Sequence, residues 1–138
     1  DCHGAACDAA CGRGAASGGS EGMKVVYIAG PFRAESAWAV EQNVRRAEEL
    51  AFAVAEAGAM PICPHANTRN FHGTLTDEFW LRGTLELLRR CDAIVMVDGW
   101  QSSHGATAEH DEAERIGIPV FYSQDTFAVW LRKVEKCA

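Results

Sequence analysis

The segment at residues 92–120, DAIVMVDGWQSSHGATAEHDEAERIGIPV, restricts the possible folds of this chain more than any other. Residues 93–97 form a short apolar run rich in β-branched side chains, which is typical of a buried parallel strand. Turn-forming residues interrupt the run, and a helix is predicted from near Gly105 to Gly117. A second strand follows at once. The segment therefore predicts a strand–loop–helix–strand unit of an α/β protein.

The predicted helix carries a carboxylate on its core-facing side. Ala106, Ala113 and Ile116 share one face. Glu109 falls on that same face, whereas His110 is predicted to point away from it. The helix begins at the carboxyl end of a parallel strand, where open α/β sheets bind their ligands. Two interpretations are open: a glutamate held by the positive helix start, which needs no function, or a catalytic carboxylate in a cleft.

The loop before the helix favours the catalytic interpretation. Ser102, Ser103 and Gly105 offer hydroxyl groups and backbone N–H groups at a helix start, which is a natural phosphate site. Ser103 can equally be a plain helix cap. Glu109 lies one turn further on, within reach of a sugar attached to such a phosphate.

The rest of the chain repeats the same alternation. Strands are predicted at residues 24–29, 60–63, 93–97 and 118–122, and helices at about 36–58, 76–90, 105–117 and 126–136. This order predicts an α/β fold, a doubly wound parallel sheet of the flavodoxin or Rossmann-like kind, in a single domain at residues 23–138.

Two segments fall outside this regular pattern. Residues 1–22 are mostly Gly, Ala, Ser and Cys without periodicity, and they are predicted to form a disordered leader. Residues 64–75 are the longest irregular piece predicted. This piece carries His65 among polar residues that suit a bound base, or else it is a solvent-exposed insertion.

Composition and missing motifs exclude several classes of partner. A formal net charge of −6 disfavours non-specific binding to nucleic acids and acidic membranes. No apolar run has the length of a membrane span, and the start of the sequence lacks the features of a secretory signal, so we expect a cytoplasmic protein. The six cysteines include no CxxC pair, and dinucleotide and P-loop signatures are absent. Neither a metal nor a cofactor is predicted.

Three motifs in order carry a family resemblance. YIAGPF after the first strand, then CDAIVMVDGW, then SHGATAEHDEAERIGIPV resemble the nucleoside 2-deoxyribosyltransferase-like superfamily, over roughly residues 23–122. The likeness is to its small members near the deoxynucleoside 5′-monophosphate N-glycosidases. It implies cleavage or transfer at the N-glycosidic bond of a nucleoside 5′-monophosphate, without a cofactor.

The resemblance also implies roles for individual residues. Glu109 occupies the position of the family's nucleophile, and Tyr27 matches its tyrosine in the first strand. Ser103 stands where monophosphate-processing members carry a serine that meets the phosphate. Gly30 and Arg33 match first-loop positions that approach the phosphate. We also expect Phe32, His65, Ser102 and Gly105 to bind the substrate.

One departure concerns the proton donor. The family usually carries an Asp on the helix before the third strand, and here that position is Thr84, which cannot protonate a leaving base as a carboxylic acid can. We expect Asp77 or Asp98 to replace it. Two alternatives stay open: a non-catalytic nucleotide-binding module, and a phosphoribohydrolase of the cytokinin-activating type, whose signature the segment at residues 105–109 loosely resembles.

A homodimer or larger homo-oligomer is also predicted. The chain carries more large aromatic residues than one small sheet needs inside, and relatives in the family complete their sites across a dimer. These residues are Trp38, Phe79, Trp80 and Trp130. The alternative is that all four belong to the core.

Overall fold

The computed structural model describes residues 22–71 and 73–137. The strands are β1 (Val25–Ala29), β2 (Met60–Ile62), β3 (Ala93–Met96) and β4 (Val120–Phe121). The α-helices are α1 (Ala37–Ala57), α2 (Pro64–Thr68), α3 (Asp77–Arg89), α4 (His104–Ile116) and α5 (Gln124–Cys137). Two single turns of 3₁₀-helix, Arg69–Phe71 and Trp100–Ser102, follow α2 and β3.

The four strands form one parallel sheet in the order β2–β1–β3–β4. The chain moves outward from β1 to β2, returns past β1 to β3, and continues outward to β4. The strand order therefore reverses between β1 and β3, and this is the position where doubly wound sheets bind ligands at their carboxyl edge. The predicted fold class is confirmed.

Helices cover both faces of the sheet. Val26 and Ile28 on β1 point to the face where Phe127 and Leu131 of α5 pack beside α1. Because side chains alternate along a strand, Tyr27 points to the opposite face, into the cluster built with α3 and α4. The alternation thus places a tyrosine on the side of the sheet that carries the helix of Glu109.

Local capping signals set the helix ends. The Ser36 side chain accepts a hydrogen bond from the backbone N–H of Ala39 and caps the start of α1. Gly58 and Gly117 end α1 and α4 in the left-handed conformation, with φ of 111° and 81°. These helix ends are confirmed to within one residue of their predicted positions.

One prediction from local sequence is wrong. The segment at residues 64–75 is not irregular throughout, because Pro64 opens the short helix α2 at a position where its missing N–H costs nothing. His110 lies on another side of α4, where it is buried and its ring stacks on Trp100 with centroids 4.3 Å apart.

The predicted disorder of residues 1–22 concerns positions that, apart from Gly22, lie outside the described residues. Within the described ranges, no helix combines the length and the apolar character that crossing a membrane requires.

Candidate functional site

A cavity of about 450 Å³ opens at the carboxyl edge of the sheet, beside β1 and β3. Its wall is formed by four segments: the loop after β1, the first turn of α2, the cavity-facing side of α3, and the loop and first turns of α4. These segments fall within residues 30–33, 64–68, 77–84 and 102–109. Most of the residues predicted to form a site therefore surround one cavity.

Glu109 and Tyr27 form a buried pair at the base of this cavity. The Tyr27 hydroxyl donates a hydrogen bond to Glu109 Oε2 across 82 residues of sequence. Glu109 is 7% exposed and lines the cavity, whereas Tyr27 is fully buried behind it. No ion pair to Glu109 occurs among the residues that the structure describes. The carboxylate is therefore held in place by a neutral donor rather than by a cation.

Burial determines the protonation of this pair. Loss of hydration raises the pKa of Glu109 to about 7, and the hydrogen bond from Tyr27 together with the nearby hydroxyl of Thr84 only partly opposes the shift. Burial and the adjacent charge of Glu109 raise the pKa of Tyr27 well above its ordinary value. Near neutral pH, Tyr27 is thus a hydrogen-bond donor, and Glu109 exchanges its proton readily.

Thr84 contributes polarity without charge. Its hydroxyl donates to the backbone oxygen of Leu81 at 3.0 Å, and it lies close enough to lower the pKa of both Glu109 and Tyr27. A carboxylate at this position would repel the charge of Glu109 and raise its pKa further. The threonine therefore makes ionisation of Glu109 easier than an aspartate would.

The start of α4 forms one wall of the cavity. Ser103 caps the helix, and its Oγ accepts from the backbone N–H of Ala106 at 3.2 Å. Ser102 Oγ donates to the carbonyl oxygen of Gly99. The N–H groups of the first helical turn have no carbonyl partner within the helix. Together with Gly105 they give this wall the hydrogen-bond donors that an anion requires.

The loop after β1 is fixed by packing and by a buried histidine. A Cβ atom on Gly30 would lie 2.6 Å from Val97 Cβ, so the ends of β1 and β3 approach too closely for any larger residue. His65 Nε2 donates to the carbonyl oxygens of Gly30 and Pro31 at 2.8 and 2.9 Å. Burial lowers the pKa of His65, which keeps the ring neutral. Its ring packs against Phe32 in a T-shaped arrangement, with centroids 5.4 Å apart.

An ion pair joins two walls of the cavity. Arg33, in the loop after β1, pairs with Asp77, the first residue of α3. Both side chains line the cavity and are largely exposed, at 60% and 67%. Asp98 is exposed in the turn after β3 and is not among the lining residues. Of the two predicted proton donors, only Asp77 therefore faces the cavity.

Sequence reasoning did not assign Trp80 and Leu81 to the site, although both line the cavity. Trp80 Nε1 is buried and has no hydrogen-bond partner in the part of the chain that the structure describes. Phe71 stacks against its ring at 5.8 Å. Helical spacing is the signal that could have identified Trp80. It lies three residues after Asp77 and four before Thr84, and residues at these spacings share one face of a helix.

A second polar cluster lies on another side of α4. His110 Nδ1 lies 3.2 Å from Asp111 Oδ1 and 3.6 Å from Glu114 Oε1, and these three groups could together hold a metal ion. His110 Nε2 already contacts the Tyr122 hydroxyl at 2.8 Å. The carboxylates are exposed, and none of the three residues lines the cavity.

Residues 24–122 match a family described as Domain of unknown function (DUF4406). The match runs from the start of β1 past the end of β4 and covers well over half of the chain. The chain belongs to the DUF4406 family. No curated protein matches it.

The DUF4406 region includes every residue that lines the cavity, together with Tyr27. Helix α5 lies beyond it and supports the opposite face of the sheet. The family description names no activity. The resemblance to the nucleoside 2-deoxyribosyltransferase-like superfamily therefore stays a prediction.

Proposed function

We propose that this DUF4406 protein cleaves the N-glycosidic bond of a nucleoside 5′-monophosphate, or transfers its sugar to a second base. The observation that carries the proposal is the buried carboxylate of Glu109, which lines the cavity and is oriented by the Tyr27 hydroxyl. A buried carboxyl group with a strongly shifted pKa in a cavity is characteristic of catalytic sites.

The chemistry follows from the position of Glu109. A carboxylate oxygen attacks C1′ of the sugar as the bond from C1′ to the base nitrogen breaks, through an oxocarbenium-like transition state. The base leaves with the bonding electrons and takes up a proton. Attack by water on the glycosyl ester releases the sugar, whereas attack by a second base completes a transfer. Tyr27 holds the nucleophile in position and never needs to ionise.

The phosphate is proposed to bind at the start of α4. Ser103 and the first-turn N–H groups supply donors, and Arg33 supplies a positive charge on the same cavity. Asp is also a good helix cap, so Ser103→Asp keeps the helix start while adding a negative charge. We expect this variant to prefer nucleosides over monophosphates, which direct binding measurements would reveal.

The source of the proton for the leaving base stays a prediction. Asp77 and Asp98 are the candidates, and Asp77 is favoured because it lines the cavity. Its pairing with Arg33, together with Thr84 in place of the expected aspartate, favours a second candidate function. That candidate is a nucleotide-binding module that has kept the cavity without turnover.

We also propose that the chain forms a homodimer or larger homo-oligomer. Trp38 is 75% exposed and Phe79 is 41% exposed, whereas Trp130 packs against the core. Large exposed aromatic side chains are enriched at protein interfaces. Light scattering at micromolar concentration tests this proposal, and a monomer mass would contradict it.

The decisive experiment incubates the protein with a panel of nucleoside 5′-monophosphates and their matching nucleosides, and measures the released base by chromatography. We expect release from at least one monophosphate, faster than from its nucleoside, and none from Glu109→Gln. A second free base in the reaction distinguishes transfer from hydrolysis. Tight binding of monophosphates without base release from any of them would favour the binding module instead.

A further inference from the structure

We infer that Asp77 masks Arg33 when no phosphate is bound, and that a dianionic phosphoryl group binds by displacing Asp77 from this arginine. The inference rests on the proposed function, since it concerns how the same cavity recognises a phosphate. It gives Asp77 a role in ligand selection that neither the sequence pattern nor the family match assigns.

The charges on the cavity wall carry the first step. Among the described residues, Arg33 is the one arginine or lysine that lines the cavity. The carboxylates that line the same cavity are those of Asp77 and Glu109. Arg33 is paired with Asp77. An incoming phosphate therefore meets no unpaired guanidinium, and it gains full use of Arg33 only when the carboxylate moves away.

Exposure makes the exchange easy. The two side chains are 60% and 67% exposed, and an exposed ion pair of this kind contributes only about 0.2–1 kcal/mol. A phosphate dianion can offer arginine the same two parallel, charge-assisted hydrogen bonds as a carboxylate, with about twice the negative charge. Asp77 stays at the start of α3, where the positive helix end favours its charge after it leaves Arg33.

The exchange also selects among anions. A singly charged ligand that replaces Asp77 substitutes one carboxylate-like partner for another and gains little. A phosphate dianion gains more from Arg33 and from the N–H groups at the start of α4, which line the same cavity. The pair therefore disfavours carboxylates and chloride and admits phosphorylated ligands.

The test measures binding of ribose 5-phosphate, which has no N-glycosidic base and so cannot report on cleavage. The readout is the set of backbone amide shifts of Ser103 and Gly105 in the full chain. Asp77→Asn should bind about two- to fivefold more tightly at low salt, and the gain should shrink as salt screens the charges. Asp77→Ser provides a second variant with the same loss of charge.

Two controls separate masking from simple repulsion. Glu86→Gln removes the same charge from the same helix, at a residue that pairs with Arg89 and Arg90 and does not line the cavity. It should leave the affinity unchanged. Arg33→Gln should weaken binding, and adding Asp77→Asn to it should give no gain, because nothing is left to unmask.

The outcomes are distinct. A gain that requires Arg33 supports the inference, even if no nucleotide ever loses its base, in which case only the proposed chemistry fails. An equal gain with and without Arg33 means that Asp77 merely repels the phosphate, and this overturns the inference. No gain in either Asp77 variant at low salt also overturns it.

Discussion

Two of the glutamates on helix α4, Glu109 and Glu112, lie one turn apart in opposite electrostatic surroundings. Glu109 faces the cavity, where burial raises its pKa to about 7. Glu112 lies on the outer side, where hydrogen bonds from Arg115 and Arg89 lower its pKa to about 2. The bonds from these arginines measure 2.7 to 2.8 Å. The same residue type on the same helix thus becomes a proton-exchanging group on one side and a permanent anion on the other.

The comparison separates a structural carboxylate from a candidate catalytic one. Glu112 joins α3 to α4 through Arg89, and its charge is fully compensated. Glu109 has only neutral hydrogen-bond partners among the described residues, so its charge is available to a positive transition state. Charge that folding leaves uncompensated is costly, and retaining it inside a cavity is best explained by a ligand.

The largest expected effect is on base release. Glu109→Gln keeps the shape of the side chain and removes the nucleophile, so the rate should fall on the order of a hundredfold or more. Glu112→Gln is the matched control, because it makes the same substitution one turn away and should leave base release nearly unchanged. Equal losses in both variants, measured by chromatography, would mean that the two sides of α4 do not differ in function.

The second effect is on stability as a function of pH. Because the pKa of Glu109 is raised in the folded state, the folded protein keeps a proton that the unfolded chain loses, so stability falls as pH rises from about 4.5 to about 7. Glu109→Gln has no such carboxyl group, so it should not show this decrease in stability with rising pH. It should be more stable than the parent above pH 7, on the order of 3 kcal/mol, and nearly equal to it near pH 4.5. Urea unfolding at both pH values tests this.

The third effect concerns the pH dependence of catalysis. The nucleophile must be ionised, so kcat/KM should rise with pH and level off above about 7. Tyr27→Phe removes a hydrogen bond that lowers the pKa of Glu109, and the midpoint should move to higher pH.

Tyr122→Phe is the control for this third effect, since Tyr122 bonds His110 away from the cavity and should leave the midpoint in place. The substrate phosphate itself titrates near pH 6, but that step is the same for every variant. An unmoved midpoint in Tyr27→Phe would show that the profile does not report on Glu109.

The smallest expected effect is on stability, when the ion pairs of Glu112 with Arg89 and Arg115 are removed. The pKa of Glu112 is lowered in the folded state, so its contribution to stability is present above about pH 4.5 and is lost as pH falls toward about 2. Glu112→Gln should therefore lower the urea midpoint slightly at pH 7. The gap between the midpoints of the parent and the variant should narrow below pH 4.5. A gap that widens in acid would contradict the assigned pairing.

Much of the fold could be predicted from the sequence because its signals are local. Ser36 and Gly58 mark the ends of α1, and periodicity alone placed Glu109 on the inner side of α4. The strand alternation and crossover lengths were enough for a parallel sheet. The pattern failed at Pro64, where a short helix has too few residues to show a period.

The partners within the cavity depended on tertiary structure. Tyr27 and Glu109 are 82 residues apart, and His65 reaches the loop after β1 from 34 and 35 residues away. Such contacts depend on how strands and helices cross, which no local period encodes. Arg33 and Asp77 illustrate the same limit, because each looked like an independent site residue until the fold paired them.

The amino-acid sequence by itself determined the order and approximate positions of the four strands and of helices α1, α3, α4 and α5, and that a glutamate would face inward near the start of α4. Those features follow from backbone periodicity and capping, which act over a few residues. Only the tertiary structure decided the hydrogen-bond partners and the pKa of that glutamate. Packing of β1 and α3 around it removed water and supplied Tyr27 and Thr84, while Glu112, one turn away, stayed beside two arginines. The environment, and not the residue type, sets the two pKa values apart.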